Sequence, residues 1–246
     1  MEKVIEVSGL NKTFKITDKP SLTIRESVMS FLKPQEYHYI HALKNINFNV
    51  RKGEFFGIIG ANGSGKSTLL SIITGTIPAD QGSISKVGKH IKLSLGIGAN
   101  MELTARQNIY IMCSVLGMTI KYTREIIDQI IDFAELREFE NTQMKYYSTG
   151  MRSRLLFAIA IHAKADIFFL DEFFGGVGDE RFRVKANEVF VNTFMDGRTI
   201  VFVSHQLETI KQYCNRVLLL HKGEQIMVGK PAEVIPVYRE LLHVNP

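Results

Sequence analysis

At 246 residues and 45% hydrophobic side chains, the chain can bury a substantial core, enough for one large domain or one domain with a sizeable inserted lobe. Thirty lysines and arginines against twenty-five acids give a formal charge of +5, but the basic residues are scattered, which gives nucleic-acid binding no support. Two cysteines, Cys113 and Cys214, without CxxC or metal-ligand spacing argue against a disulfide framework, and the opening MEKVIEVSGL lacks the basic start and long apolar run of a secretion signal.

In chain order, residues 4–7 and 46–50 alternate like strands, and residues 55–59 form a short apolar run that ends in glycine. Residues 67–74 read as a helix closed by the turn-rich GTIPADQG, with strand-like pieces following at 82–85 and 90–95. From Thr104 to about Ala165 the period becomes helical: Ile126, Ile127, Ile130, Ile131 and Ala134 recur at three- and four-residue spacing, as do Leu155, Ile159 and Ala163. This predicts a helical lobe inserted between core strands. Residues 167–170 and 199–203 are continuously apolar, which suits parallel strands buried on both faces. Residues 217–220 and 225–228 read as a hairpin around Lys222 and Gly223, and a helix is expected after Pro231. The longest apolar stretch, residues 155–161, is far below the roughly 18 residues of a membrane span. Membrane association would therefore come through a partner or a surface-lying helix.

The decisive motif is Gly60-Ala61-Asn62-Gly63-Ser64-Gly65-Lys66-Ser67-Thr68, a GxxxxGK[ST] loop placed after a strand and before a helix. Its glycines let the backbone curl so that N–H groups cradle phosphate oxygens at a helix N-terminus. In this chemistry Lys66 contacts the β/γ-phosphates and the Ser67 hydroxyl ligates Mg²⁺. A second segment, residues 167–172, delivers Asp171 and Glu172 at the C-terminal end of a buried strand, where ligands of open α/β sheets bind. Asp171 is expected to hold Mg²⁺, directly or through water, and Glu172 to orient and deprotonate the attacking water. Between them, Tyr147-Ser148-Thr149-Gly150-Met151 opens a helical stretch, so Ser148 and Gly150 form another anion cradle, suited to the γ-phosphate of a second nucleotide. Taken alone that segment is also an ordinary helix cap.

The order of phosphate loop, YSTGM, Asp171-Glu172, the turn Val177-Gly178-Asp179 and Ser204-His205 after an apolar strand resembles the ATP-binding subunits of ABC transporters over nearly the whole chain. YSTGM resembles that family's LSGGQ signature, and with KYYSTGMRSRLLFAIA, DEFFGGVGDERF and LSLGIGANMELTARQNI it is most similar to subunits that export O-antigen, teichoic acid or capsule chains. The resemblance implies an α/β fold, with a phosphate-loop ATPase core of mixed β-sheet and an inserted helical signature subdomain, over a single domain of residues 1–246. It implies that His205 senses the γ-phosphate, that Asp179 couples two sites across a dimer, and that Phe14 stacks on adenine. Leu95 stands where the family's Q-loop glutamine is expected, and Gln107 lies too far along to replace it.

Between Phe14 and Ala42, residues 20–33 place a possible capping box, Thr23 and Glu26, before a face of Ile24, Val28, Phe31 and Leu32, a pattern for a short amphipathic helix. In O-antigen and teichoic-acid exporters such an insert resembles a gate helix near the cytoplasmic membrane surface. No C-terminal carbohydrate-binding domain is expected before Pro246. The resemblance thus implies an ATP- and Mg²⁺-dependent ATPase on the cytoplasmic face of the membrane. It would act as a homodimer with two copies of a polytopic permease, moving a lipid-linked polysaccharide, O-antigen first and teichoic acid or capsule next. Another exporter's ATPase, a non-transport ABC ATPase and a nucleotide-dependent regulatory module remain the alternatives.

Overall fold

The computed structural model describes residues 2–17, 37–93, 99–171, 180–194 and 197–244. At its centre, five parallel strands run in the order β5 (His90–Leu93), β6 (Ile167–Asp171), β7 (Thr199–Val203), β3 (Phe55–Ile59) and β8 (Arg216–His221). Every residue of β3 and β7 is buried, because both faces of the sheet are covered. Phe55 and Ile59 join the core beneath the helical lobe, while Phe56 and Ile58 join Leu69, Leu70 and Ile73 of α1 (Lys66–Ile73) on the opposite face. The strand period of two thus feeds two cores from one strand, which is why the sequence shows continuous apolar runs here.

On one flank, β1 (Lys3–Thr17) pairs antiparallel with β2 (Tyr37–Arg51) and with β4 (Gln81–Lys86). The hairpin partner of β8, β9 (Glu224–Gly229), touches β2 at Lys44 and Glu224, which joins the nine strands of the described residues into one sheet. Strands β1 and β2 are 15 residues each, much longer than the alternating segments 4–7 and 46–50 predict. Their outer halves escaped the pattern because residues 37–41 are all exposed, so no apolar alternation marks them. Register shifts around Leu10 interrupt the pairing as well, as β-bulges do.

The helical lobe is α2 (Ala105–Val115), α3 (Ile120–Phe133) and α4 (Thr149–Ile161). Thr104 and Gln107 form a full capping box at the start of α2: the Thr104 hydroxyl accepts from the Gln107 backbone, and the Gln107 side chain accepts from the Thr104 N–H. Gln107 therefore has a local structural duty. Ile126, Ile127, Ile130, Ile131 and Ala134 are all buried against α4 and its neighbours. Helix α5 (Glu180–Phe194) and helix α6 (Leu207–Tyr213) had no counterpart in the sequence reading, whereas α7 (Pro231–Val244) stands where a terminal helix was expected. Among the described residues no helix is long and apolar enough to cross a membrane. The insert 20–33, Leu95, Glu172 and the 177–179 turn with Asp179 lie outside the described residues.

Candidate nucleotide site

The C-terminal end of β3 runs directly into the loop 60–65, whose geometry demands glycine at two places. A Cβ on Gly60 would collide with the Leu220 carbonyl and sit 2.5 Å from Ser64 Oγ. At Gly65, φ is +103° and a Cβ would lie 2.6 Å from the Ala42 carbonyl oxygen, a conformation and an approach that other residues cannot take without strain. The Ser64 N–H donates to the Ala61 carbonyl at 3.1 Å, closing the turn. Helix α1 then begins, and its first-turn N–H groups, which have no partners within the helix, together with the helix dipole suit an anion.

Lys66 is only 8% exposed. Its Nζ donates to the Gly60 carbonyl at 2.7 Å and to the Ala61 carbonyl at 2.9 Å, bending the side chain back along the loop. Behind the loop, the Gly223 N–H donates to the Ser64 carbonyl at 3.1 Å and the Lys44 N–H to the Gly223 carbonyl at 2.8 Å. The tip of the β8–β9 hairpin thereby pins the loop to β2. The Ser64 hydroxyl, 3% exposed, has no hydrogen-bond partner among the described residues.

The loop forms one wall of a cleft of about 810 Å³. Asn62, Gly63, Gly65, Lys66, Ser67 and Thr68 of the loop line it together with Phe14, Ile40, His41 and Ala42 from β1 and β2, Asp171 and Val203 from the ends of β6 and β7, and Lys222 from the hairpin tip. Phe14 pairs with Ile40 across β1 and β2, and Lys12 Nζ sits 5.5 Å from the Phe14 ring centroid. The cleft lining therefore combines an aromatic ring and apolar side chains with the lysines Lys66 and Lys222, a mixture that suits a nucleotide. Asp171 closes β6 in register with Val203 of β7, at the C-terminal edge of the parallel strands. The Ser67 hydroxyl and the Asp171 carboxylate are hard oxygen donors facing one space, a donor set that fits Mg²⁺ better than a softer metal. No group of three or more His, Cys, Asp or Glu residues that could hold a metal occurs among the described residues, so a cation here would complete its shell from the nucleotide and water.

His205 follows β7 two residues beyond Val203 and is exposed, outside the cleft lining. Its neighbour Ser204 is buried and accepts from the Gln206 N–H at 3.0 Å, which sets the turn. Ser148, Thr149, Gly150 and Met151 also lie outside the cleft, at the N-terminus of α4. Ser148 caps that helix by accepting from the Met151 N–H at 3.1 Å. Tyr147 anchors the segment: it is buried, its hydroxyl donates to the Phe139 carbonyl at 2.7 Å, and Arg152 donates to its carbonyl at 3.1 and 2.9 Å. Burial pushes the Tyr147 phenol up to about 12, so it stays a neutral donor.

Sequence reasoning did not find Ile40, His41, Ala42, Val203 or Lys222 as cleft residues. They come from the exposed half of β2, a strand end and a hairpin tip, and no local signal marks them, since only closure of the sheet brings them to the phosphate loop.

Residues 43–175 match the family described as ABC transporter. Over 242 residues the chain is 37% identical to the teichoic acids export ATP-binding protein TagH of Bacillus anthracis, covering 98% of this chain and 43% of that protein. It is 36% identical over 246 residues to the ABC transporter protein AbcA of Aeromonas salmonicida, covering 99% of this chain and 78% of AbcA. The chain thus spans less than half of one curated relative and about three quarters of the other. In fold it is similar to the dimeric ATP-binding cassette MJ0796 in a post-hydrolysis state bound to ADP and phosphate, with a TM-score of 0.71 at 23% identity, covering 92% of this chain and 98% of that one. The chain belongs to the ABC transporter family.

Proposed function

We propose that this chain is the ATP-hydrolysing motor of an exporter of lipid-linked polysaccharide of the teichoic-acid class. It would work as a homodimer with two copies of a polytopic membrane subunit, peripheral on the cytoplasmic face of the membrane. The observation that carries the ATPase reading is the convergence of Lys66, Ser67 and Asp171 on one cleft that Phe14 also lines. The polysaccharide reading is supported by the names of relatives, among them the TagH proteins of Bacillus anthracis and Lactiplantibacillus plantarum. These names favour teichoic acid over the O-antigen chain that the sequence placed first.

In this reading Phe14 stacks on adenine, and the residues from Gly60 to Thr68, including Ala61, Asn62, Gly63, Ser64 and Gly65, wrap the phosphates with backbone N–H groups. Lys66 turns from its loop carbonyls to the β/γ-phosphates, while Ser67 and Asp171 hold Mg²⁺. When bound, that ion would neutralise phosphate charge. Glu172 accepts a proton from the attacking water, and His205 contacts the γ-phosphate. Ser148, Thr149, Gly150 and Met151 of one protomer close over the nucleotide of the other, which accounts for their position outside their own cleft. Asp179 links the two sites across the interface.

The test is Glu172→Gln. It should retain MgATP binding, trap a closed dimer and lose hydrolysis by about 10²–10⁴-fold, the usual contribution of a positioned base. Near-normal turnover would remove Glu172 from the mechanism.

A further inference from the structure

We infer that Lys92 is a built-in counter-cation for Asp171 which Mg²⁺ has to displace, so that this lysine sets how much Mg²⁺ the site requires. The inference rests on the nucleotide-site reading above. Lys92 lies in β5 opposite Phe169 in the parallel register with β6. Side chains alternate along a strand, so Lys92, Phe169 and Asp171 emerge on one face, with Lys92 one pleat short of the carboxylate. Its Nζ stands 3.6 Å from Asp171 Oδ2, and the two side chains are 24% and 23% exposed. They are close enough for strong attraction, at a separation beyond a tight hydrogen bond.

The other basic group on that face of β5 is not a competitor. His90 is edge-on to Phe169, with Lys86 Nζ 3.0 Å from its Nε2, and burial followed by the Lys86 charge holds its pKa below the usual imidazole range. Lys92 is therefore the cation that β5 presents to Asp171.

A monovalent ammonium and a divalent ion cannot share one carboxylate at contact distance without strong repulsion. The flexible lysine stem lets the ammonium swing out, and the lost pairing raises the Mg²⁺ concentration needed. Without metal, the same ammonium screens Asp171 from the γ-phosphate. Removing it should have effects of opposite sign.

The experiment uses the whole chain and a fluorescent ATP analogue, first in EDTA and then across a Mg²⁺ titration, with free Mn²⁺ counted by electron paramagnetic resonance. For Lys92→Met, affinity in EDTA should fall and the half-saturating Mg²⁺ or Mn²⁺ should also fall, each roughly three- to tenfold for a partly exposed pair. Lys92→Arg should keep both values near the parent's. Lys92→Gln stands in if the Met variant melts early. Weaker binding in both EDTA and Mg²⁺ with an unmoved metal requirement would overturn the inference and make Lys92 a direct nucleotide contact. No change in either would reduce the pair to a structural contact and overturn it equally. Lys66→Ala serves as the control: if it still binds nucleotide tightly, the site reading itself fails, independently of Lys92.

Discussion

The loop 60–68 and the start of α4 are both helix N-termini preceded by glycine or serine, yet the structure treats them differently. The first is enclosed: glycines are forced by close approach, Lys66 is buried, and three other parts of the sheet converge on it. The second is a capped helix end at the surface, held from behind by Tyr147 and Arg152, with Ser148 and Thr149 exposed. The first is surrounded by other parts of the same chain, and the second is outside the cleft they form. An anion cradle is thus defined less by its own residues than by what the fold places opposite it.

Four substitutions would break or sharpen that comparison. The largest effect is expected at Gly60→Ala, whose methyl would meet the Leu220 carbonyl and Ser64 Oγ. Overpacking there should cost roughly 3 kcal/mol of stability, read by denaturant unfolding, whereas Gly150→Ala should cost far less in the same assay.

Next, Lys66→Ala should lower ATP affinity by about 10²-fold, roughly 2.8 kcal/mol at 1.4 kcal/mol per decade, measured by calorimetry. Retained affinity would mean that the enclosed cradle is not the phosphate site. Ser148→Arg makes the contrast sharper. It should leave ATP affinity of the monomer nearly unchanged while abolishing nucleotide-driven dimerisation, followed by light scattering. A collapse of monomer affinity would place the second cradle in the chain's own site.

The smallest effect is expected at Tyr147→Phe. Losing the hydroxyl bond to the Phe139 carbonyl should cost about 1 kcal/mol, seen as a lower melting temperature with ATP affinity intact. Because burial raises the Tyr147 phenol to about 12, this contribution is present at neutral pH and persists at any pH below the ordinary tyrosine range. It would fade only as alkaline pH ionises the phenol in the unfolded chain.

Much of this protein was legible in the sequence. The apolar runs 55–59, 167–170 and 199–203 are β3, β6 and β7, and the isoleucine spacing of α3 placed the lobe, because a strand buried on both faces and an amphipathic helix each leave a local pattern. The outer halves of β1 and β2 were invisible because pairing without burial leaves no such pattern. Helix α5 was missed as well, since Phe182, Ala186 and Phe190 are its widely spaced buried positions among charged neighbours.

The sequence by itself determined the phosphate loop, its strand-to-helix context and the carboxylate at the end of β6, because contiguous residues carry that chemistry through backbone geometry. Only the tertiary structure decided that Ile40, His41, Ala42, Val203 and Lys222 join the cleft that this loop lines, and that Lys92 lies against Asp171. Those meetings depend on strand order and register, which join residues far apart in the chain and which no local pattern records.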